Sequence, residues 1–171
     1  MLKKKKGWYK YAGNWVQKKA PLGFSFQRWL LKHQSRKVTI NGSWVGQPRQ
    51  CITFENPCLT GDYRNHGAIM IKEKSINGKI NFCFVGTFYK RKGIDLILEA
   101  LAKMDNDCIG TFYFIGGGEN KANYEAKGAA LKVTTKFEGF LPKAQINEIY
   151  KQCHFIVLPS NNEGFPKVIG E

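Results

Sequence analysis

Ile80-Asn81-Phe82-Cys83-Phe84-Val85-Gly86, then Thr87-Phe88-Tyr89-Lys90-Arg91-Lys92-Gly93, then Ile94-Asp95-Leu96-Ile97-Leu98-Glu99-Ala100-Leu101: this stretch decides the fold. Ile80–Val85 is a short apolar run closed by a glycine, the form of a buried strand. Ile94, Ile97, Leu98 and Leu101 recur at i, i+3, i+4 and i+7, the stripe of a helix packed on one face. The same unit repeats downstream. Ile109–Ile115 predicts a second strand, Glu119–Leu131 a helix, Val133–Glu138 a third strand, Lys143–Lys151 a helix and His154–Leu158 a fourth strand. A last helix is expected to start near Pro166 and to be cut at Glu171. Such alternation with short connections predicts an α/β domain built on a parallel, Rossmann-like sheet with flanking helices. Sheets of that kind bind ligands at the carboxyl ends of their strands. The informative loops fall there: Gly86–Gly93, Gly116–Glu119, Gly139–Pro142 and Ser160–Pro166.

The first 75 residues read differently. Phe24–His33 is expected to be a helix with Phe26, Trp29 and Leu30 on one face, and Val38-Thr39-Ile40 a strand entering an Asn41-Gly42 turn. Asn56-Pro57 and Gly61-Asp62 mark loops, and Asn65–Gly78 is expected to be a linker. Charge divides the chain at a similar place. Residues 1–54 hold 12 Lys or Arg and no acid, whereas residues 55–171 hold 15 basic and 13 acidic residues, so the net charge of +14 belongs to the front. The 43% hydrophobic content permits a real core. No apolar run is long enough to cross a bilayer, and the basic start Met1–Trp8 lacks the apolar stretch of a signal peptide. A cytoplasmic location is expected, with contact at the inner face of a membrane. The five cysteines (Cys51, Cys58, Cys83, Cys108, Cys153) show no paired spacing, and His33, His66 and His154 are scattered. Metal and disulfide roles are therefore disfavoured, and Cys83 and Cys108 are expected to act as small hydrophobes within strands.

Three constellations carry chemistry. Lys90-Arg91-Lys92 puts three cations before a helix whose N-terminus is already partly positive. That is unfavourable unless an anion joins them, held by backbone N–H groups and cationic side chains together. The competing reading is a solvated loop. Gly116-Gly117-Gly118-Glu119 lets the backbone approach a ligand closely, or simply turns the chain. A dinucleotide fingerprint would need a glycine where Lys121 stands, although Glu138 imitates its ribose-binding acid. Last comes Glu163-Gly164-Phe165-Pro166-Lys167-Val168-Ile169-Gly170-Glu171, with two carboxylates eight positions apart. Pro166 suits a first helical position, Glu163 and the amides of Gly164 and Phe165 suit sugar or phosphate oxygens, and Glu171 suits a ribose. A helix start with acids near its positive end is the competing explanation.

Phe84-Val85-Gly86…Lys92-Gly93-Ile94-Asp95-Leu96, Phe114-Ile115-Gly116-Gly117-Gly118-Glu119, Phe137-Glu138-Gly139-Phe140-Leu141-Pro142 and the closing motif stand in order over residues 80–171. That region resembles the donor-binding C-terminal half of retaining glycosyltransferases of GT-B fold, the group 1 family with an E-x7-E motif. The resemblance implies that Lys92 binds the donor diphosphate and stabilises the leaving group. It implies that Glu163 contacts the transferred sugar, and that Gly164, Phe165, Pro166 and Val168 line its pocket. Glu171 would hold the ribose, Phe140 and Leu141 would flank the nucleobase, and Gly86, Thr87, Arg91 and Gly116 would contact the donor. Thr87 stands where the family usually has arginine, with Lys90 or Arg91 as substitutes. No cofactor or metal is implied beyond the nucleotide-sugar substrate.

On this reading residues 1–75 are a remnant of an acceptor domain with its linker, and residues 76–171 a donor domain truncated C-terminally. The expected function is sugar transfer, with retention, from a nucleotide sugar to a polysaccharide or lipid-linked glycan acceptor; the isolated chain is expected to be inactive. Trp8, Tyr9, Tyr11, Trp15 and Trp29 among lysines give a second reading, an inactive nucleotide-binding remnant whose front segment binds an anionic membrane surface, with nucleic acid less favoured. A dehydrogenase-type NAD domain is the third.

Overall fold

The computed structural model describes residues 7–11, 13, 15, 20–43, 45–54, 60–104, 107–161, 163 and 166–170. By contact the chain divides into two compact units, Met1–Cys58 with Glu163–Lys167, and Leu59–Asn162 with Val168–Glu171.

The first unit contains β1 (Tyr9–Tyr11), α1 (Leu22–Lys32), β2 (Val38–Ile40) and β3 (Cys51–Thr53). Its strands form a parallel sheet in the order β1-β2-β3. Val38 and Ile40 point inward from the central strand and are fully buried with Tyr11, Trp15 and Cys51, and Leu31 of α1 packs on them. Val38-Thr39-Ile40 is a strand as expected; α1 begins two residues earlier than its apolar stripe indicated.

The second unit runs α2 (Gly61–Glu73), β4 (Ile80–Val85), a single 3-10 turn (Lys90–Lys92), α3 (Ile94–Lys103), β5 (Ile109–Ile115), α4 (Lys121–Ala129), β6 (Thr134–Gly139), α5 (Lys143–Gln152), β7 (Phe155–Ile156) and, from Val168 on, the short α6 (Lys167–Gly170). The four strands make a wholly parallel sheet in the order β6-β5-β4-β7. The α/β class and the parallel sheet with flanking helices are therefore as the sequence predicted. Alternation of side chains sorts the two faces. Phe84, Phe112 and Phe114 point to one face, where Ile94, Ile97, Leu98 and Leu101 of α3 and Tyr124 of α4 cover them. Phe137 stacks on Phe114 at 4.5 Å between ring centroids, and each such pair adds about 0.5–1.5 kcal/mol beyond area burial. Cys83 and Tyr113 point to the other face, beneath Cys153, Ile149 and Tyr150 at the end of α5.

Three expectations need correction. Asn65–Gly78 is not an open linker, because α2 occupies it as far as Glu73. Thr60 caps this helix by accepting from the Tyr63 N–H, and Asp62 lies in the first turn, at the positive end. Cys108 is exposed ahead of β5, so it is not a packed hydrophobe as Cys83 is. His154–Leu158 pairs as a strand only at Phe155 and Ile156, although His154 N–H to Asn81 O (2.8 Å) and Val157 N–H to Cys83 O (2.8 Å) carry the bonding on either side. Asn56-Pro57, expected to mark a loop, lies outside the described residues.

Candidate functional site

Strand order places the site. From β4 the chain steps outward through β5 to β6, then returns beneath α5 to lay β7 on the opposite side of β4. The reversal puts a topological switch point between the carboxyl ends of β4 and β7, the crevice where open parallel sheets bind ligands. The loops on its two sides are Gly86–Gly93 and Leu158–Asn161. They touch: Asn161 N–H donates to Arg91 O at 3.1 Å. A Cβ on Gly93 would lie 2.6 Å from Pro159 O, and Gly93 has φ +75°. Only glycine meets both conditions at that corner.

The strand ends beside the crevice are joined through main chain. Gly86 N–H donates to Ile115 O at 3.0 Å, Gly116 N–H to Gly139 O at 2.7 Å, and Phe88 N–H to Gly117 O at 2.9 Å. Gly116 has φ +127°, and a Cβ there would sit 1.9 Å from Gly86 O. The rest of the glycine run is also filled by the protein itself. A Cβ on Gly117 would meet the Phe140 ring at 2.8 Å, and one on Gly118 the Phe88 carbonyl at 3.0 Å. Lys121, where the dinucleotide fingerprint needs glycine, opens α4 and pairs with Glu125 at 3.1 Å. These glycines are explained by loops packed against each other.

The cationic stretch is a held turn. Phe88 is fully buried against Phe84, Tyr124 and Phe137, and anchors the loop from below. Lys90–Lys92 then makes one 3-10 turn, closed by Lys92 N–H to Tyr89 O at 2.8 Å and Gly93 N–H to Lys90 O at 3.1 Å. Tyr89, Lys90 and Arg91 are exposed, and Thr87 and Lys92 are half-buried. Behind them Asp95, in the first turn of α3, accepts from Lys127 Nζ (2.7 Å) and Tyr124 Oη (3.2 Å). The Lys127 bond chiefly holds the Asp95 carboxyl below its ordinary value, with Tyr124 and Lys90 adding to it against the effect of burial. Burial and Asp95 together push the Tyr124 hydroxyl up.

Of the sequence-predicted residues, Gly86, Thr87, Arg91, Lys92, Gly116, Phe140 and Leu141 all stand at this carboxyl edge. Phe140 is 76% exposed with its ring over Gly117, and Leu141 is half-buried. Glu163 and Pro166 are half-buried, and Val168 lies in the short α6. Gly164, Phe165 and Glu171 lie outside the described residues. Asn161 and Phe88 were not singled out from sequence, though an apolar Phe88 amid a polar loop was a usable signal of anchoring. Ser160, between the two residues that touch the cationic turn, has a buried hydroxyl with no partner among the described residues.

Two other features stand apart from this edge. A groove of about 1200 Å³ runs between α2 and the α5–β7 side, lined among others by Met70, Ile71, Tyr150, Phe155, Ile156 and Ile169. None of the carboxyl-edge loops lines it. At its floor Lys74 Nζ donates to the carbonyls of Tyr150 (2.6 Å) and Cys153. Hydrogen bonding between the free Cys83 and Cys153 thiols lowers the pKa of Cys153 and raises that of Cys83, whose burial raises it further. Among the described residues no cluster of three or more His, Cys, Asp or Glu is placed to hold a metal, and no helix is long and apolar enough to cross a membrane.

The family model for glycosyl transferases group 1 matches residues 67–171, which takes in the whole sheet and every carboxyl-edge loop. The chain is also similar to an uncharacterised glycosyltransferase of Methanocaldococcus jannaschii, 30% identical over 98 residues. That match covers 55% of this chain and 26% of the relative, so the chain corresponds to about a quarter of that protein's length.

Proposed function

The chain belongs to the glycosyl transferases group 1 family, and from that premise we propose that it serves sugar transfer from a nucleotide-sugar donor to a polysaccharide or lipid-linked glycan acceptor. The observation that carries this reading is the switch-point crevice, walled on one side by a pinned Lys90–Lys92 turn and on the other by the Leu158–Asn161 loop. The turn is tied at both ends, by buried Phe88 and by Gly93 under Pro159, so its cations are held at low entropic cost when an anion arrives.

In this proposal Lys92 binds the donor diphosphate and Arg91 supplies the second charge in place of the arginine that Thr87 replaces. Charge grows on the leaving diphosphate as the glycosidic bond breaks, and a fixed cation beside it lowers that barrier more than it stabilises the bound donor. The oxocarbenium-like sugar would be contacted by Glu163, with Gly164, Phe165, Pro166 and Val168 lining its pocket. Phe140 and Leu141 flank the base, the exposed Phe140 ring offering a stacking face, and Glu171 takes the ribose. Retention, the GT-B architecture, the pairing of Glu163 with Glu171 and independence from metal belong to the same proposal. Acceptor recognition is assigned outside residues 80–171.

Titration of the chain with UDP, GDP and NAD tests the reading. A nucleoside diphosphate should bind, and Lys92→Ala should weaken it roughly 10- to 100-fold, the range of a lost charge-assisted contact. Tight NAD binding with no response to UDP or GDP would overturn it in favour of a dehydrogenase-type domain.

A further inference from the structure

We infer that His154 is a positioning residue: its neutral imidazole latches the entry of β7 to β4 and so holds the Leu158–Asn161 wall of the crevice. The chain leaves α5 at Gln152 and enters β7 at Phe155, so Cys153 and His154 alone form the turn. Asn81 of β4 meets His154 twice. It accepts from the His154 N–H at 2.8 Å, and its own N–H donates to His154 Nδ1 at 3.0 Å. Its side chain ties in both neighbours, Nδ2 donating to Gln152 O at 3.0 Å and Oδ1 accepting from the Thr111 N–H at 2.8 Å. The β4–β5 register shifts at this point, since Ile80 pairs with Ile109 but Phe82 with Phe112. The Asn81 amide oxygen thereby takes an N–H that the irregular ladder leaves over. Gly110 makes room for it, because a Cβ there would collide with that oxygen.

A backbone N–H can only donate, so Nδ1 keeps its lone pair and the ring proton sits on Nε2. Protonation of Nδ1 removes the acceptor and sets two N–H groups against each other. Little else fixes β7. Its ladder to β4 is Phe82–Phe155 and Cys83–Ile156, extended by Val157 N–H to Cys83 O. Just beyond, Pro159 packs against Gly93 and Asn161 N–H reaches Arg91 O. A displaced β7 therefore draws the wall away from the cationic turn. Sharing the groove with His154 are Asp62, Tyr63, Arg64 and His66 of α2, Lys74 just after it, Glu148, Tyr150 and Lys151 of α5, and Cys153. Lys74 is committed to the carbonyls of Tyr150 and Cys153. Imidazole is the side chain that ordinarily changes charge between about pH 5 and 8, so His66 is the group to control for.

Amide exchange and imidazole nitrogen chemical shifts of the full chain test the latch without any ligand. His154 should show the Nε2–H tautomer at about pH 8. Protection of the Asn81 and Val157 amides, corrected for intrinsic exchange, should fall roughly 10-fold on going to about pH 5, the value of one lost hydrogen bond. His154→Phe should be poorly protected at both pH values. His154→Asn, whose Oδ1 stands where Nδ1 does and takes no proton, should be protected at both, and His66→Gln should behave as wild type. The consequence for the crevice rests on the donor-site reading above. UDP affinity, as the ratio of wild type to His154→Asn so that titration of the ligand's own phosphate cancels, should fall roughly 3- to 10-fold over the same range. An Nδ1–H tautomer, equal protection in wild type and His154→Phe, a pH response kept by His154→Asn, or an unchanging affinity ratio would each overturn the proposal. Failure of every variant to bind UDP, with the protection pattern as stated, would instead overturn the donor reading and leave the latch standing.

Discussion

Replacing Gly116 by alanine should damage the second unit far more than the same replacement at Gly139, and the difference is calculable. Both glycines lie at neighbouring strand ends and both have positive φ, +127° and +74°. They differ in what a methyl would meet. At Gly139 there is nothing within 4 Å, so the cost is the left-handed backbone alone, roughly 1–2 kcal/mol. At Gly116 the new carbon would start 1.9 Å from Gly86 O, and the loops must part by more than about 1 Å before any ordinary contact is possible. That movement strains the Gly86–Ile115 and Gly116–Gly139 hydrogen bonds. Overpacking of about 1–3 kcal/mol added to the ~1–2 kcal/mol of backbone strain gives ~2–5 kcal/mol. With a urea slope near ~1 kcal/mol/M, Gly116→Ala should lower the midpoint roughly 2–5 M against about 1–2 M for Gly139→Ala. Far-UV circular dichroism or amide exchange at Phe112–Phe114 is the suitable readout, since Trp8, Trp15, Trp29 and Trp44 all lie in the first unit. Equal shifts for the two variants would refute the backbone contact between Gly86 and Gly116.

Three further outcomes follow from the same geometry. Gly93→Ala should separate the cationic turn from Pro159 and reduce UDP affinity roughly 10-fold; unchanged affinity would show that the two loops need not touch. Asp95→Asn should cost roughly 0.5–1 kcal/mol at neutral pH, a low figure because Asp95 is about a third exposed. The folded carboxyl sits below its ordinary value of 3.8, so that stability is present above about pH 4 and disappears as pH falls through the lowered value. Melts of the two proteins should therefore converge in acid, and a constant gap would be inconsistent. Iodoacetamide under native conditions should label Cys108 well before Cys51, Cys83 or Cys153, which are buried; mass spectrometry showing Cys153 labelled at the rate of Cys108 would contradict the packing beneath α5.

Legibility in the sequence followed burial. Ile109–Ile115, Ile80–Val85 and the α3 stripe were readable because a strand buried on both faces is apolar throughout, and a helix buried on one face is periodic. Helix α2 carries no buried residue, so it leaves no such period, and Gly61, Asn65 and Gly67 suggested loops. Its only signal was local, Thr60 as cap with Asp62 behind it. Strands β1 and β3 are three residues each and are defined by partners far away in sequence, which no local pattern records. At the site, the cations and the glycine run were visible, but not the reason for the glycines. Gly116 answers to Gly86 and Gly93 to Pro159, contacts between separate loops that only the fold brings together.

The frame of the crevice is drawn almost entirely in main chain. Gly86, Gly116, Gly117 and Gly139 meet through amide and carbonyl groups, which every residue type carries. Side chains that reach outward from this frame, Tyr89, Arg91 and Phe140 among them, are free to be exchanged without resetting strand positions. If the proposed donor site holds, specificity for base and sugar is thereby separated from the scaffold that presents them. On that reading variation at those exposed positions would retune the donor, and libraries aimed at a new nucleotide sugar belong there while the glycines stay fixed.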